Sequence, residues 1–189
     1  MPKVYIIPEK MANAFATGRD YNNSVVAVTS GILEILDEKE LEAVLAHELS
    51  HIKNRDILVG AIAATFAAAI TMLARFALFF GGSNNRGNFV ALLAMMILAP
   101  LAAILIQMAI SRSREYMADN GAAQLTGRPQ SLISSLEKLH ASAKNVRQTN
   151  AQPATAHMLI VNPFKGGGIA SLFSTHPTLE QRKRNLLKR

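Results

Sequence analysis

His47-Glu48-Leu49-Ser50-His51 sets two imidazoles one helical turn apart with a carboxylate between them. On a helix, residues four apart share a face, so both rings can reach one metal ion while Glu48 faces whatever that ion activates. The flanking sequence supplies the helix. Asp37 with Glu40 reads as a capping box, and Leu41, Val44, Leu45 and Leu49 recur at helical spacing beneath it. Ala43 and Ala46 are strong helix formers that leave the histidine face uncluttered. The expected helix runs from about Glu38 to about Asn54. Two ordinary structural histidines would give the same five residues, but a glutamate buried to no purpose in so well capped a helix would cost stability.

A catalytic zinc takes three protein ligands and keeps one position for water, so a third ligand must come from elsewhere. The chain has no cysteine, which removes thiolate sites and disulfides together. What remains is His140, His157, His176 and a few downstream carboxylates. Glu115 stands out among them, in Ser111-Arg112-Ser113-Arg114-Glu115-Tyr116-Met117-Ala118-Asp119, because it shares a helical face with Asp119. Glu115 can bind the ion while Asp119 accepts the free ring N–H of one histidine and fixes its tautomer. Read alone, Arg112, Glu115 and Asp119 also describe a solvated helix face.

These blocks, together with Asn13-Ala14-Phe15-Ala16 and with His176-Pro177 followed by Arg182, resemble the HtpX-type membrane zinc metalloproteases, relatives of the prenyl-protein proteases. The resemblance covers nearly the whole chain. It implies a zinc-dependent endopeptidase with an α+β, mainly α, zincin-like catalytic domain and a glutamate as third zinc ligand, here Glu115. It also implies that Asn13 and Ala14 line the substrate cleft, that His176 approaches the metal and donates to the oxyanion, and that Arg182 steadies the site or pairs with a carboxylate. Tyr116 is a further phenolic donor beside Glu115.

Composition agrees with a membrane enzyme: half of the 189 residues are hydrophobic but only 6% are aromatic. Ile57–Phe80 is apolar apart from Thr65, Thr71 and Arg75, and Phe89–Ile110 carries no charge. Each is long enough for a bilayer core, which needs about 20 helical residues. Residues 1–189 are thus expected to form one metallopeptidase domain carrying an inserted transmembrane hairpin at 57–110, with Gly81 to Asn88 as its turn. Arg75 can snorkel to the interface, and Pro100 is tolerated inside a membrane bundle. A hairpin buried in protein, or lying at the interface, is the alternative for stretches so rich in alanine. Two crossings return Glu115 to the side of His47 and His51, which a single crossing would forbid.

Lys53, Arg55, Arg112 and Arg114 flank the motif-bearing ends of the hairpin, while the turn offers Arg86 with Arg75 nearby. The positive-inside tendency places the catalytic portion in the cytoplasm, at a bacterial inner membrane by the resemblance. The net charge of +7 fits attraction to anionic membrane lipid. Nucleic acid is not expected as a partner, since no aromatic platform or binding motif accompanies the basic residues.

Val4–Ile7 and Ser24–Thr29 read as strands, with Ala12–Thr17 as an edge strand between them and Gly18 to Asn23 as a turn, giving a small antiparallel N-terminal sheet. Such an edge can bind an extended peptide through its main chain with little regard to sequence. Pro129 starts a helix with an apolar stripe of Leu132, Ile133, Leu136 and Leu139. Asn145 to Ser174 reads as a surface loop, His140 and His157 as incidental, and Thr178 as the cap of a last helix.

The resemblance also implies another pair of membrane segments ahead of the catalytic portion. None precedes the first strand and no signal-peptide pattern opens the chain, which reads as N-terminally short. The expected function is zinc-dependent cleavage of polypeptides, and the resemblance implies damaged or unfolded membrane proteins as substrates. The alternatives are a selective processing protease of the prenyl-protein type and a catalytically silent zinc-binding membrane module. Intact Glu48 speaks against the silent module, and the absence of any lipid-chamber signature speaks against the processing enzyme.

Overall fold

The computed structural model describes residues 2–18, 20, 22–80, 86–146 and 176–188. The chain runs β1 (Lys3–Ile7), β2 (Ala14–Gly18), β3 (Ser24–Thr29), α1 (Ser30–Ile35), α2 (Glu38–Lys53), α3 (Asp56–Phe80), α4 (Arg86–Thr126), α5 (Pro129–Val146) and α6 (Leu179–Leu187). This is a mainly helical α+β chain, as expected. The sheet is mixed rather than antiparallel. Its order is β1-β3-β2, with β2 antiparallel to β3 and β1 parallel to it. A short turn can join only antiparallel neighbours, and that is how β2 meets β3. The longer connection from β1 carries the chain across to the far side of β3 instead. Among the described residues, no strand pairs with the other edge of β2.

α2 is the central element. Asp37 accepts from the Glu40 N–H while the Glu40 carboxylate accepts from the Asp37 N–H, the reciprocal box read from the sequence. Glu40 is also bound by Ser134 Oγ at 2.6 Å and Lys138 Nζ at 2.7 Å, so the same cap ties α2 to α5. One core cluster joins Ala43 and Ala46 of α2 to Ala122, Leu132, Ile133, Leu136 and Leu186. A second joins Val44 to Ala14, Val28, Ile32, Leu36 and Leu139. Ala43 and Ala46 are therefore buried contact residues, and Leu49 is exposed, because small side chains let α2 approach α4 closely. The closest approach lies at Gly121, where an added Cβ would sit 2.4 Å from Ser50 Oγ.

α3 and α4 are both long and apolar enough to cross a membrane. Only 6% of either apolar window is buried within the protein, and Phe66, Met72, Leu73, Ile97 and Leu98 are open on the surface. A core hairpin would have buried those side chains, so the described chain itself does not cover them. α4 continues without interruption through Pro100 to Thr126, which makes the apolar stretch and the Glu115 motif one helix. Residues 86–88, expected in the turn, already belong to α4, and residues 81–85 of that turn lie outside the described residues. Most of the expected 145–174 loop, with His157, also lies outside them, while Asn145 and Val146 end α5.

Candidate metal centre

Three elements far apart in sequence bring His47, His51 and Glu115 together. α2 carries both histidines, α4 carries Glu115, and α6 closes the rear with Arg182. One ligand atom from each of the three lies within 4.8 Å of the others. The two Nε2 atoms are 3.1 Å apart, with the rings edge to face at 89°. Glu115 lies 3.7 Å from His47 Nε2 and 3.8 Å from His51 Nε2. Ligands about 2.0–2.1 Å from a tetrahedral ion stand about 3.3 Å apart, so these spacings suit one ion.

Tautomers give the firmer test of fit. His47 Nδ1 lies 3.0 Å from Asp119 Oδ1, and His51 Nδ1 lies 2.5 Å from Asp56 Oδ2. With Nδ1–H donating to each carboxylate, Nε2 of each neutral ring carries a bare lone pair. Two lone pairs facing each other at 3.1 Å repel unless a cation lies between them. The donor set therefore fits a divalent ion, with no thiolate and one carboxylate.

Asp119 is fully buried and holds more than His47. Arg182 donates Nε to Oδ2 at 2.9 Å and a terminal nitrogen to Oδ1 at 2.5 Å, while its other terminal nitrogen is 3.7 Å from Glu115. Burial would lower the pKa of this guanidinium, but the carboxylates of Asp119 and Glu115 outweigh it and hold the charge in place. α6 starts at a reciprocal cap between Thr178 and Gln181 and is seated by Leu186, which is buried in the core with Leu132, Ile133 and Leu136. Just before that cap, His176 lies with Nδ1 3.1 Å from Glu115 Oε1.

Glu48 is buried on the same turn of α2, and its Oε2 accepts from the backbone N–H of Ala16 at 2.9 Å. Burial raises its pKa, and the neighbouring His47 and His51 only partly oppose this. Burial would lower the pKa of His51, but the Asp56 hydrogen bond and the charges of Glu115 and Glu48 raise it. These residues line a cavity of about 430 Å³ whose walls include Ala14 to Thr17 of β2, Ile57 and Gly60 of α3, and Ser111 and Arg114 of α4.

Of the residues singled out in the sequence, His47, Glu48, His51, Glu115, Asp119, His176 and Arg182 converge here, and Ala14 lines the cavity. Asn13 is not among the lining residues. It is buried at the start of β2, where its N–H donates to Thr29 Oγ1 and its carbonyl accepts from the Thr29 N–H. Tyr116 and His140 do not line the cavity either. Asp56 was missed. Its signal was an acidic residue standing directly before the apolar stretch, but five positions after His51 it would not share that residue's face on a continuous helix.

The sequence profile of peptidase family M48 matches residues 1–189. Among curated proteins, the chain is similar to three named protease HtpX homolog. That of Salinibacter ruber is 59% identical over 184 residues, covering 96% of this chain and 66% of the relative. That of Sulfurovum sp. is 53% identical over 185 residues, covering 96% and 67%. That of Ralstonia pickettii is 53% identical over 193 residues, covering 100% and 68%. The chain thus spans about two thirds of the length of these relatives. The crystal structure of S. mikatae Ste24p shares the fold, with a TM-score of 0.66 at 22% identity over 98% of this chain and 45% of that one.

Proposed function

The chain belongs to peptidase family M48 and is a metallopeptidase of that family, and we propose that it is a zinc-dependent endopeptidase cutting extended polypeptides at a membrane surface. The observation that carries this reading is the pair of carboxylate-held histidines whose Nε2 atoms face each other beside Glu115. His47, His51 and Glu115 would hold the ion, which when bound lowers the pKa of water toward about 7 and polarises a carbonyl.

The protein's own side chains supply the rest. Glu48, whose carboxylate burial makes more basic, is suited to take a proton from water and return it to the departing amine. The Ala16 N–H that steers Glu48 belongs to the edge of β2 that no other described strand pairs with, so the same strand that orients the base can pair with an extended substrate. Main-chain pairing suits polypeptides of varied sequence. His176, with Nδ1 on Glu115, donates to a developing oxyanion from Nε2 only as the imidazolium. Asp119 and Arg182 hold His47 from behind.

The single domain of residues 1–189 presents its α3–α4 hairpin to the bilayer, with the site at the surface where α4 emerges. Basic residues around that end favour the cytoplasmic face of a bacterial inner membrane. The substrates we propose are unfolded or damaged membrane proteins, removed in quality control. The test is cleavage of an unfolded protein by the chain in detergent, with and without chelator, beside Glu48→Gln. Cleavage should need metal and vanish in the variant while zinc content persists. Full cleavage by Glu48→Gln would remove Glu48 from the reaction.

A further inference from the structure

We propose that the first turn of the membrane helix α3 belongs to the metal centre: Asp56, clasped from α4 by Arg114, is the positioning residue that aims His51, so the seating of the hairpin sets metal affinity. This rests on the metal reading above and extends it to residues outside the ligand set.

The chain bends sharply to bring Asp56 back. α2 ends at the Asn54 cap, and Arg55 takes a left-handed conformation with φ 54°, which L-residues seldom adopt. That single residue breaks the helix and starts α3 at Asp56, whose carboxylate lies 2.5 Å from His51 Nδ1. On an uninterrupted helix the carboxylate would have pointed elsewhere.

A second element holds the turn in place. The Asp56 carbonyl accepts a hydrogen bond from a terminal nitrogen of Arg114, the residue before Glu115 on α4. α4 therefore supplies the proposed third ligand and, one position earlier, the clasp on the helix that orients the second. Gly60 makes the clasp possible. It lies one turn further along α3, and an added Cβ would come within 2.8 Å of the same Arg114 nitrogen. A larger residue there requires that end of the guanidinium to shift, which loosens its hold on the carbonyl.

The consequence is chemical. A carboxylate on Nδ1 fixes the tautomer that offers Nε2 to the metal and raises its basicity. Arg114 donates to the Asp56 backbone carbonyl, so the influence proposed for it on His51 passes through Asp56. Where the carboxylate is already gone, removing the clasp should change little more.

The experiment measures zinc affinity of the full chain in detergent by competition with a chromogenic chelator. Asp56→Asn should bind about 10- to 100-fold more weakly, the usual loss for such partners. Arg114→Leu and Gly60→Ala should weaken binding in the same direction. Gly60→Ala also improves helix propensity, so it separates a displaced clasp from a failure to fold. Asp56→Asn combined with Arg114→Leu should match Asp56→Asn alone, and Asp56→Glu should recover part of the loss. Affinity of Asp56→Asn within about twofold of the parent, well short of that loss, would overturn the proposal. So would a full additive loss from Arg114→Leu in the Asp56→Asn background. Zinc binding by the parent that survives His47→Ala would instead defeat the metal reading on which it rests.

Discussion

Replacing Arg182 with methionine strands two buried carboxylates while leaving the space largely filled. In the native arrangement the guanidinium grips both oxygens of Asp119, at 2.5 and 2.9 Å, and approaches Glu115 at 3.7 Å. Arg182 is 4% exposed and Asp119 not at all, so little water reaches Asp119 to replace the lost partner. Breaking a buried pair of this kind costs about 3–5 kcal/mol, against about 1 kcal/mol or less for an exposed one. Methionine keeps most of the packing, so little of the loss should come from a cavity. Chemical unfolding of the metal-free chain in detergent should therefore show a loss of about 3–5 kcal/mol for Arg182→Met. The double variant with Asp119→Leu should recover part of it, because an apolar pair leaves no uncompensated charge. A loss below about 1 kcal/mol for the single variant would mean that the ion pair is effectively solvated, refuting the buried-anchor account of α6.

Other outcomes follow from the same geometry. Because burial raises the Glu48 pKa in the folded metal-free chain, ionising it weakens folding as pH rises above about 4.5. Glu48→Gln should stabilise the metal-free protein at neutral pH, and the gain should fade below about pH 4.5, where both forms are neutral in folded and unfolded chains alike; unfolding midpoints across pH read this directly. Gly121→Val drives a side chain into Ser50 where α2 meets α4, and unfolding should register a loss of about 1–3 kcal/mol. Ala16→Pro removes the N–H that Glu48 accepts, on an edge where proline fits the backbone. Its kcat/KM should fall by about 10- to 100-fold, the worth of one hydrogen bond to a charged group, with metal content unchanged.

The site was legible where chemistry repeats at helical spacing. His47, Glu48 and His51 carry their geometry in their order, Asp37 and Glu40 mark where their helix starts, and Glu115 and Asp119 declare a shared face. Residues whose role depends on a break in regular structure were not legible. Asp56 reaches His51 only because Arg55 turns left-handed, and no local pattern marks a non-glycine residue for that conformation. The sheet shows the same limit. A run of β-branched and aromatic residues marks β1 as a strand, but its direction relative to β3 is set by the crossover and not by its own side chains. The role of Asn13 also depended on tertiary contacts, its hydrogen bonds to Thr29 holding it at the start of β2. The hairpin was legible as two apolar lengths, whereas the continuity of α4 beyond Ile110 into the metal-site motif was not, because the polar run that starts at Ser111 ends the apolar pattern by which the span was read.

The claim on which all of this depends is that His47, His51 and Glu115 close around one ion while Glu48 stays out of its coordination shell. Zinc content per chain, measured by mass spectrometry after dialysis against a weak chelator, tests it most directly. The account predicts about one zinc per chain for the parent and for Glu48→Gln, and almost none for Glu115→Ala. Full zinc retention by Glu115→Ala, or loss of zinc in Glu48→Gln, would contradict it.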